Sequence, residues 1–176
     1  MGIINKEDQK VMLIVCDTGP LLHLAEANLL GLLQQTGKVC IPDMVEQEIK
    51  ELFGKWEKSR PAWLIIETLL PEEIKEAELL QSSDLMDYGE AEAIILAKRL
   101  NADWFVTDDT EARVFARALG MEVHGSLGVV LWCAATGHLS YKKSKDALES
   151  LAKTSLWISE AIMAEAQAAL KIMFEE

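Results

Sequence analysis

The sequence predicts an α/β fold: a three-layer α/β/α sandwich with a mainly parallel central sheet and a helical C-terminal extension. Two segments, Val11–Cys16 and Trp104–Val106, are continuously apolar, as in strands that a parallel sheet buries on both faces. Helical patterns alternate with the short apolar segments. Half of the 176 residues are hydrophobic, enough for a sizeable core. We expect Val11–Cys16 at the centre of the sheet, with Trp104–Val106 as its neighbour.

Prolines, glycines and a capping acid divide the first half of the chain. Pro20 can open a helix after the first strand, and Gly37 stops the next helix. Asp43 can cap a third helix. The predicted elements are a strand at Val11–Cys16, a helix from Pro20, a helix over Leu29–Gln35, a strand at Val39–Ile41, a helix after Asp43, a polar loop over Gly54–Pro61, and a strand or irregular segment at Trp63–Ile66.

The second half is mostly helical. Tyr88–Leu100 is apolar nearly all round, which is typical of a buried helix. The other predicted elements are helices over Pro71–Leu80, Thr107–Leu119, Leu127–Thr136, Tyr141–Lys153 and Ser159–Phe174, with strands at Trp104–Val106 and around Val123. We therefore divide the chain into an N-terminal extension (1–10), a main domain (11–139) and C-terminal helices (140–176) that pack on the domain or on a partner.

Charge and composition exclude several classes of protein. The formal net charge is −12, opposite to that of a passive basic nucleic-acid binder. The longest strongly apolar stretch, Val11–Cys16, is far too short to span a membrane, and the N-terminal region lacks a signal-peptide pattern. The odd set of Cys16, Cys40 and Cys133 has no CxxC spacing and indicates reduced core thiols in a cytoplasmic protein. We expect no membrane association.

Acidic residues follow two of the predicted strands. Asp17 follows the first strand, and Asp108 and Asp109 follow Trp104–Val106. Ligands of parallel α/β sheets bind beyond the carboxyl ends of strands, so these acids are expected to converge. Unpaired carboxylates at such an edge would repel one another, and a hard cation, Mg²⁺ or Mn²⁺, would relieve that repulsion. Each acid taken alone could instead be a turn or helix cap.

Four glutamates lie on two of the predicted helices. Glu90 shares a helix face with Ile94 that is expected to be buried, so its carboxylate needs a partner. It also has capping-box spacing to Asp87. Glu92 is expected to point the other way. Glu46 and Glu48 flank one apolar stripe, and periodicity does not choose between them. Either could be a solvated flank.

Four segments together resemble the PIN domain (PilT N-terminal) family of metal-dependent nucleases. They are Val15–Leu22, Pro42–Ile49, Asp87–Ile94 and Val106–Asp109, in the order and spacing of that family. The stretch from Ala112 to Leu139 is similar to a prokaryotic branch related to VapC-type toxins. The resemblance covers about Val11 to Leu139.

The resemblance implies an acidic site that binds Mg²⁺ or Mn²⁺. Its members would be Asp17, Glu48, Glu90 and Asp108 or Asp109, with Glu48 at the rim and chosen over Glu46. Many relatives carry Asp where this chain has Glu90. Thr18 and Thr107 are candidate hydrogen-bonding partners of these carboxylates. No histidine is required, and we interpret His23, His124 and His138 as structural or surface residues.

The function implied is a metal-dependent ribonuclease, either the toxin of a toxin–antitoxin pair or a stand-alone relative. Arg113 and Arg117, spaced by four residues, are candidates for contacting the RNA backbone. The loop carrying Lys55, Trp56, Lys58 and Arg60 could stack a base or could be plain solvated surface.

The alternative is a PIN-like scaffold that binds a protein partner without cleaving RNA. The predicted helix Ser159–Phe174 carries an amphipathic stripe suited to self-association or to an antitoxin-like partner, and it could equally pack on its own domain. The stripe consists of Ile162, Ala166, Ala169, Leu170 and Met173. We expect a homo-oligomer.

Overall fold

A computed structural model of the chain describes residues 11–175, so the predicted extension over residues 1–10 lies outside the described residues. Five strands form an all-parallel sheet in the order β3-β2-β1-β4-β5. They are β1 (Leu13–Cys16), β2 (Lys38–Pro42), β3 (Ile65–Glu67), β4 (Trp104–Val106) and β5 (Val123–His124). The predicted fold class is confirmed.

The central strand is β1, paired with β2 on one side and β4 on the other. Ile14 aligns with Trp104 and Cys16 with Val106, so the two strands end at the same level. The side chains of Ile14 to Cys16 and of Trp104 to Val106 are buried. Continuous apolarity therefore marked two strands whose side chains the fold buries.

Helices flank the sheet to complete the three-layer sandwich. Helix α6 packs on β1, β2 and β4 with α5 against it, while α1, α2 and α8 form a second packed group. The helices are α1 (Thr18–Glu26), α2 (Gly31–Thr36), α3 (Asp43–Leu52), α4 (Trp56–Ser59), α5 (Pro71–Gln81), α6 (Tyr88–Leu100), α7 (Thr110–Ala118), α8 (Ser126–Ala135), α9 (Tyr141–Leu151) and α10 (Glu160–Glu175).

The C-terminal helices pack on the rest of the chain. Helices α9 and α10 contact each other and α8, and α9 also contacts α1. Within the stripe expected on α10, Ala166 and Leu170 are buried, whereas Ile162 is 48% exposed and Met173 39%. Part of the apolar face thus serves the protein's own core, and part faces outward.

The structure corrects the expectation for the segment 54–61. It contains the one-turn helix α4, and Trp56 at its start is fully buried. The indole Nε1 of Trp56 donates a hydrogen bond of 2.8 Å to Oε2 of Glu46. Trp56 therefore cannot stack a base, because its ring belongs to the core.

Cys16, Cys40 and Cys133 are buried free thiols. No helix among residues 11–175 is long and apolar enough to cross a bilayer.

Candidate active site

The central position of β1 creates the point where the strand order reverses, which is where parallel α/β sheets bind ligands. Asp17 directly follows β1, and its backbone N–H donates to the carbonyl of Val106 at 2.9 Å. Its carboxylate accepts hydrogen bonds from the Thr18 N–H at 2.7 Å and the Thr107 hydroxyl at 2.9 Å. Two threonines thus fix the orientation of Asp17.

Asp17 is only 4% exposed. Burial raises the pKa of its carboxyl well above the usual value, and the nearby charge of Glu90 raises it further, against the opposing hydrogen bonds from Thr18 and Thr107. A buried carboxylate without a countercharge is unfavourable. The site therefore carries excess negative charge.

Glu90 lies in the first turn of α6 and forms a capping box with Asp87. The Asp87 N–H donates to Glu90 Oε2 at 2.9 Å, and the Glu90 N–H donates to Asp87 Oδ1 at 2.8 Å. Burial raises the pKa of Glu90 to about 7, and the charges of Asp87, Asp109 and Glu48 contribute to that rise. Electrostatics thus links Glu90 to Asp17, Glu48 and Asp109.

The expectation that Glu92 points away from the buried side of α6 is wrong. Glu92 is 6% exposed, whereas Glu90 is only partly buried. Glu92 Oε2 accepts a hydrogen bond from the Met44 N–H at 3.2 Å, at the start of α3. Its role is to join α6 to the positive end of another helix.

Glu48 and Glu46 lie on different sides of α3. Glu48 accepts a short hydrogen bond from the Thr18 hydroxyl, and its carboxylate lies against Gly89, whose N–H also hydrogen-bonds to it. Glu46 is buried, where it accepts from Trp56 and lies 3.3 Å from Arg60 and 3.4 Å from Lys50. The structure therefore directs Glu48 toward Thr18 and Gly89 and Glu46 into the core, so neither is a solvated flank.

Burial raises the pKa of Glu48, with a further contribution from the charge of Asp87. The carboxylate of Glu48 lines a space, the acidic cleft, together with five other acidic residues. Its six acidic residues are Asp17, Glu48, Asp87, Glu90, Asp108 and Asp109.

The two consecutive aspartates after β4 differ in their partners. Asp108 has three hydrogen-bond contacts: Oδ1 accepts from the Ser126 N–H at 2.7 Å, and Oδ2 lies 2.6 Å from the Ser126 hydroxyl and 2.7 Å from His23 Nδ1. Asp109 caps α7, accepting from the Ala112 N–H at 2.8 Å through Oδ1 alone. Its charge contributes to the raised pKa of Glu90, after the effect of burial.

His23 and Ser126 are site residues that the sequence reasoning missed. His23 was interpreted as structural or surface, yet its ring holds Asp108 from α1. Ser126 begins α8 and bonds the same carboxylate twice. The sequence carries no spacing signal for either residue, because β4 and the two helices meet only in the tertiary structure. His124 and His138 stack on tryptophans instead.

Arg113 and Arg117 extend from α7 beside the cleft. Arg113 is partly buried, with its guanidinium packed on Gly125 next to Asp108, and Arg117 is exposed. Within residues 11–175, neither lies within ion-pair distance of a carboxylate. Both are therefore available to an anionic ligand.

The donor chemistry of the cleft fits a hard divalent cation. Its donors are carboxylate oxygens; burial, and then neighbouring negative charges, raise the pKa values of Asp17 and Glu90, and a bound cation would favour their charged forms. No group of three or more His, Cys, Asp or Glu side chains in the described part of the chain is already arranged to hold an ion directly. The fit is thus to Mg²⁺-like binding, in which one or two carboxylates share the ion with several waters.

A family model described as PIN domain matches residues 13–171. The chain belongs to the PIN domain family. The match extends beyond the segments that carried the resemblance, through α9 and most of α10. PIN domains are generally nucleases and generally use divalent metals. No significant match was found among curated proteins or among solved structures.

Proposed function

We propose that this PIN domain protein is a divalent-metal-dependent ribonuclease that hydrolyses RNA phosphodiester bonds. One observation carries the proposal: carboxylates from four separate places in the chain meet at the strand-reversal edge of the sheet, where burial and the charge of Glu90 raise the pKa of Asp17. A purely structural set of caps would have no reason to converge on one cleft. The arrangement supports a site that needs a cation to be stable in its charged form.

In this proposal Asp17, Glu90 and Asp109 bind Mg²⁺ or Mn²⁺, one or two of them directly and the rest through water, and Glu48 lies at the rim. The bound ion would polarise the phosphate and activate a water molecule for attack. Neighbouring residues hold the side chains of Asp17 and Glu48 in place. Thr18 and Thr107 fix Asp17, and Gly89 and Thr18 fix Glu48. Such supporting hydrogen bonds keep the ligands in position.

The remaining charged residues would act on the substrate. Asp108, which is hydrogen-bonded to His23 and Ser126, lies between the other carboxylates of the acidic cleft and the guanidinium of Arg113. Arg113 and Arg117 would contact phosphates of the RNA backbone beside the cleft, which answers how a chain of charge −12 can hold a polyanion.

The test is cleavage of a single-stranded RNA in the presence of Mg²⁺ or Mn²⁺ by the wild type and by Asp17→Asn. We expect the variant to lose at least two orders of magnitude in rate, because removal of one ligand disturbs both ion placement and charge stabilisation. Glu51→Gln, an exposed acid on α3 outside the cleft, is the matched control. Equal cleavage by wild type and Asp17→Asn would indicate a contaminating nuclease and contradict the proposal.

A toxin role with an antitoxin-like partner, in the manner of VapC-type proteins, and homo-oligomerisation are further parts of the proposal. They are supported by the outward part of α10, where Ile162, Ile172 and Phe174 are exposed. The buried free thiols support a reducing compartment, for which we propose the cytoplasm. Light scattering of the purified protein gives its oligomeric state. A strict monomer at all concentrations would remove self-association from the proposal.

A further inference from the structure

The α9–α10 loop (residues 152–159) carries an unusual surface residue. Trp157 is 82% exposed, more than any other large hydrophobic side chain of the described residues. Tryptophan is seldom left in water, because its ring is among the largest apolar surfaces a side chain offers. Leu156 beside it is partly buried, so the loop turns one apolar side chain inward and one outward.

The loop that presents Trp157 is anchored. The Ser155 N–H and hydroxyl both donate to Glu26 Oε2 at the end of α1, at 2.8 and 2.7 Å. The Leu156 N–H donates to the Thr154 hydroxyl, which itself donates to the carbonyl of Leu151. The loop backbone that carries the indole is therefore held in place, so less conformational entropy is lost when a ligand stacks on the ring.

The position of Trp157 connects two concave surfaces. It lines the acidic cleft, and it also lines a groove of about 810 Å³ between α7, α8 and α10. The groove is lined by apolar side chains such as Leu127, Leu131 and Ile162, with Arg113 and Arg117 along one side. Asp108 lies at the junction of cleft and groove.

We infer that Trp157 is a base-stacking platform for single-stranded RNA, which holds a nucleotide at the junction while Arg113 and Arg117 contact the adjoining phosphates. This inference rests on the proposed function. Two features favour a nucleotide over a protein segment. Arg113 and Arg117 have no carboxylate partner within residues 11–175, so both cations of a groove that also carries Asp108 and Glu165 are available to phosphates. Trp157 is also 82% exposed and lines the same cleft as the carboxylates, as a residue that stacks a base next to a scissile phosphate must.

The first measurement is binding of a fluorescein-labelled octaadenylate in Mg²⁺ by the full chain carrying Asp17→Asn, which prevents cleavage. We expect Trp157→Ala to weaken binding about 5- to 100-fold, the range found when stacking aromatic residues are removed. Trp157→Phe should recover part of the affinity. Leu79→Ala, which removes another exposed apolar side chain on α5, should leave it unchanged. Quenching of tryptophan fluorescence on binding should be present in the parent and weaker in Trp157→Phe.

The second measurement is steady-state cleavage of the same RNA by Trp157→Ala with Asp17 intact. A positioning role predicts a raised KM with kcat changed less than about threefold. Cleavage and binding unaffected by Trp157→Ala, in a wild type that cleaves, would overturn the stacking platform and leave the ribonuclease proposal standing. A wild type that neither binds nor cleaves RNA would overturn both. A change of oligomeric state in Trp157→Ala with unchanged RNA affinity would assign the ring to a second copy of this chain and overturn the inference.

Discussion

The carboxylate of Glu48 occupies the space where a side chain at position 89 would begin. A Cβ atom built on Gly89 would overlap the Glu48 carboxyl group, so the close approach of α3 to the first turn of α6 depends on the absence of a side chain there. In the middle of an ordinary helix, alanine would be the better residue by about 0.5–1 kcal/mol. Glycine at position 89 thus leaves room for the Glu48 carboxylate in the acidic cleft.

Gly89→Ala should reduce RNA cleavage at least tenfold while leaving the protein folded. The added methyl group displaces Glu48 from the acidic cleft, whereas the helix itself tolerates alanine well. Gly31→Ala, at the start of α2 where a Cβ meets no atom within 4 Å, is the matched control. Wild-type cleavage by Gly89→Ala would show that Glu48 has no part in the reaction.

Glu46→Ala should destabilise the fold, whereas Glu48→Gln should chiefly affect activity. Loss of Glu46 leaves the buried Trp56 Nε1 without its acceptor, at a cost of about 1–3 kcal/mol. Urea unfolding of the two variants measures the difference. If Glu48→Gln proves the more destabilising of the two, the division between core and cleft on α3 is wrong.

Asp109→Asn and Asp108→Asn should separate a metal ligand from a positioning residue. Asparagine caps helices as well as aspartate, so Asp109→Asn keeps α7 intact while removing a charge, and we expect a loss of Mn²⁺ affinity of tenfold or more. In Asp108→Asn, one oxygen that accepts from Ser126 or His23 is replaced by a donor, at a cost to stability of about 1–3 kcal/mol. Calorimetric titration with Mn²⁺ and urea unfolding test both. The opposite pattern would assign the ligand to Asp108.

Glu90→Gln should stabilise the metal-free protein at high pH. The pKa of Glu90 in the fold is about 7, above its ordinary value of 4.5, so folding favours the protonated form. Wild-type stability from this group is therefore fully present below about pH 4.5 and lost as the pH rises through 7. Because the group is partly exposed, we expect a gain of only about 1–2 kcal/mol for Glu90→Gln at pH 8 and none at pH 4.5.

Unfolding in urea with a chelator, repeated between pH 4.5 and 8, measures this difference. Glu72→Gln, an exposed acid in the first turn of α5, is the control. Added Mn²⁺ should make the wild type more stable than Glu90→Gln, because the charged Glu90 carboxylate then binds the cation. A gain for Glu90→Gln that is independent of pH would contradict the assigned cause.

Arg117→Ala should weaken RNA binding at low salt and reduce its salt dependence. Each phosphate contact to a single strand contributes about 0.7 to the slope of log affinity against log salt, so one contact fewer lowers the slope by about that amount. Lys75→Ala, an exposed cation on α5, is the comparison. An unchanged slope for Arg117→Ala would remove Arg117 from the RNA-binding surface.

Local patterns predicted the strands and most helices of this fold. Tyr88–Leu100 and Trp104–Val106 have the predicted bounds, because an apolar segment between clear stop signals leaves little choice of register. The position of Asp17 and of the Asp108–Asp109 pair at one sheet edge followed from strand-end placement alone.

Side-chain partners across helices were less accessible to sequence reasoning. A helical wheel placed Glu90 inward and Glu92 outward, but the capping box turns Glu90 back to Asp87, and the N-terminus of α3 accepts Glu92 in the interior. Trp56 lies in a polar segment of the sequence, yet its indole is buried and donates a hydrogen bond to Glu46. In each case the deciding partner lies on another turn or element, and periodicity carries no information about it.

The hydrogen bond from Thr107 to Asp17 joins residues 90 positions apart in the sequence. During translation, the first strand leaves the ribosome long before its neighbour β4 exists, and Trp157 emerges later still. A nascent or prematurely terminated chain therefore holds Asp17 without the residues that complete its surroundings. Under the proposed function, a chain that stops before β4 and Asp109 is harmless to the message from which it is made, and hydrolytic capacity arises only after these residues have been added. Assembly from such distant segments also makes folding slow compared with that of a bundle of local contacts.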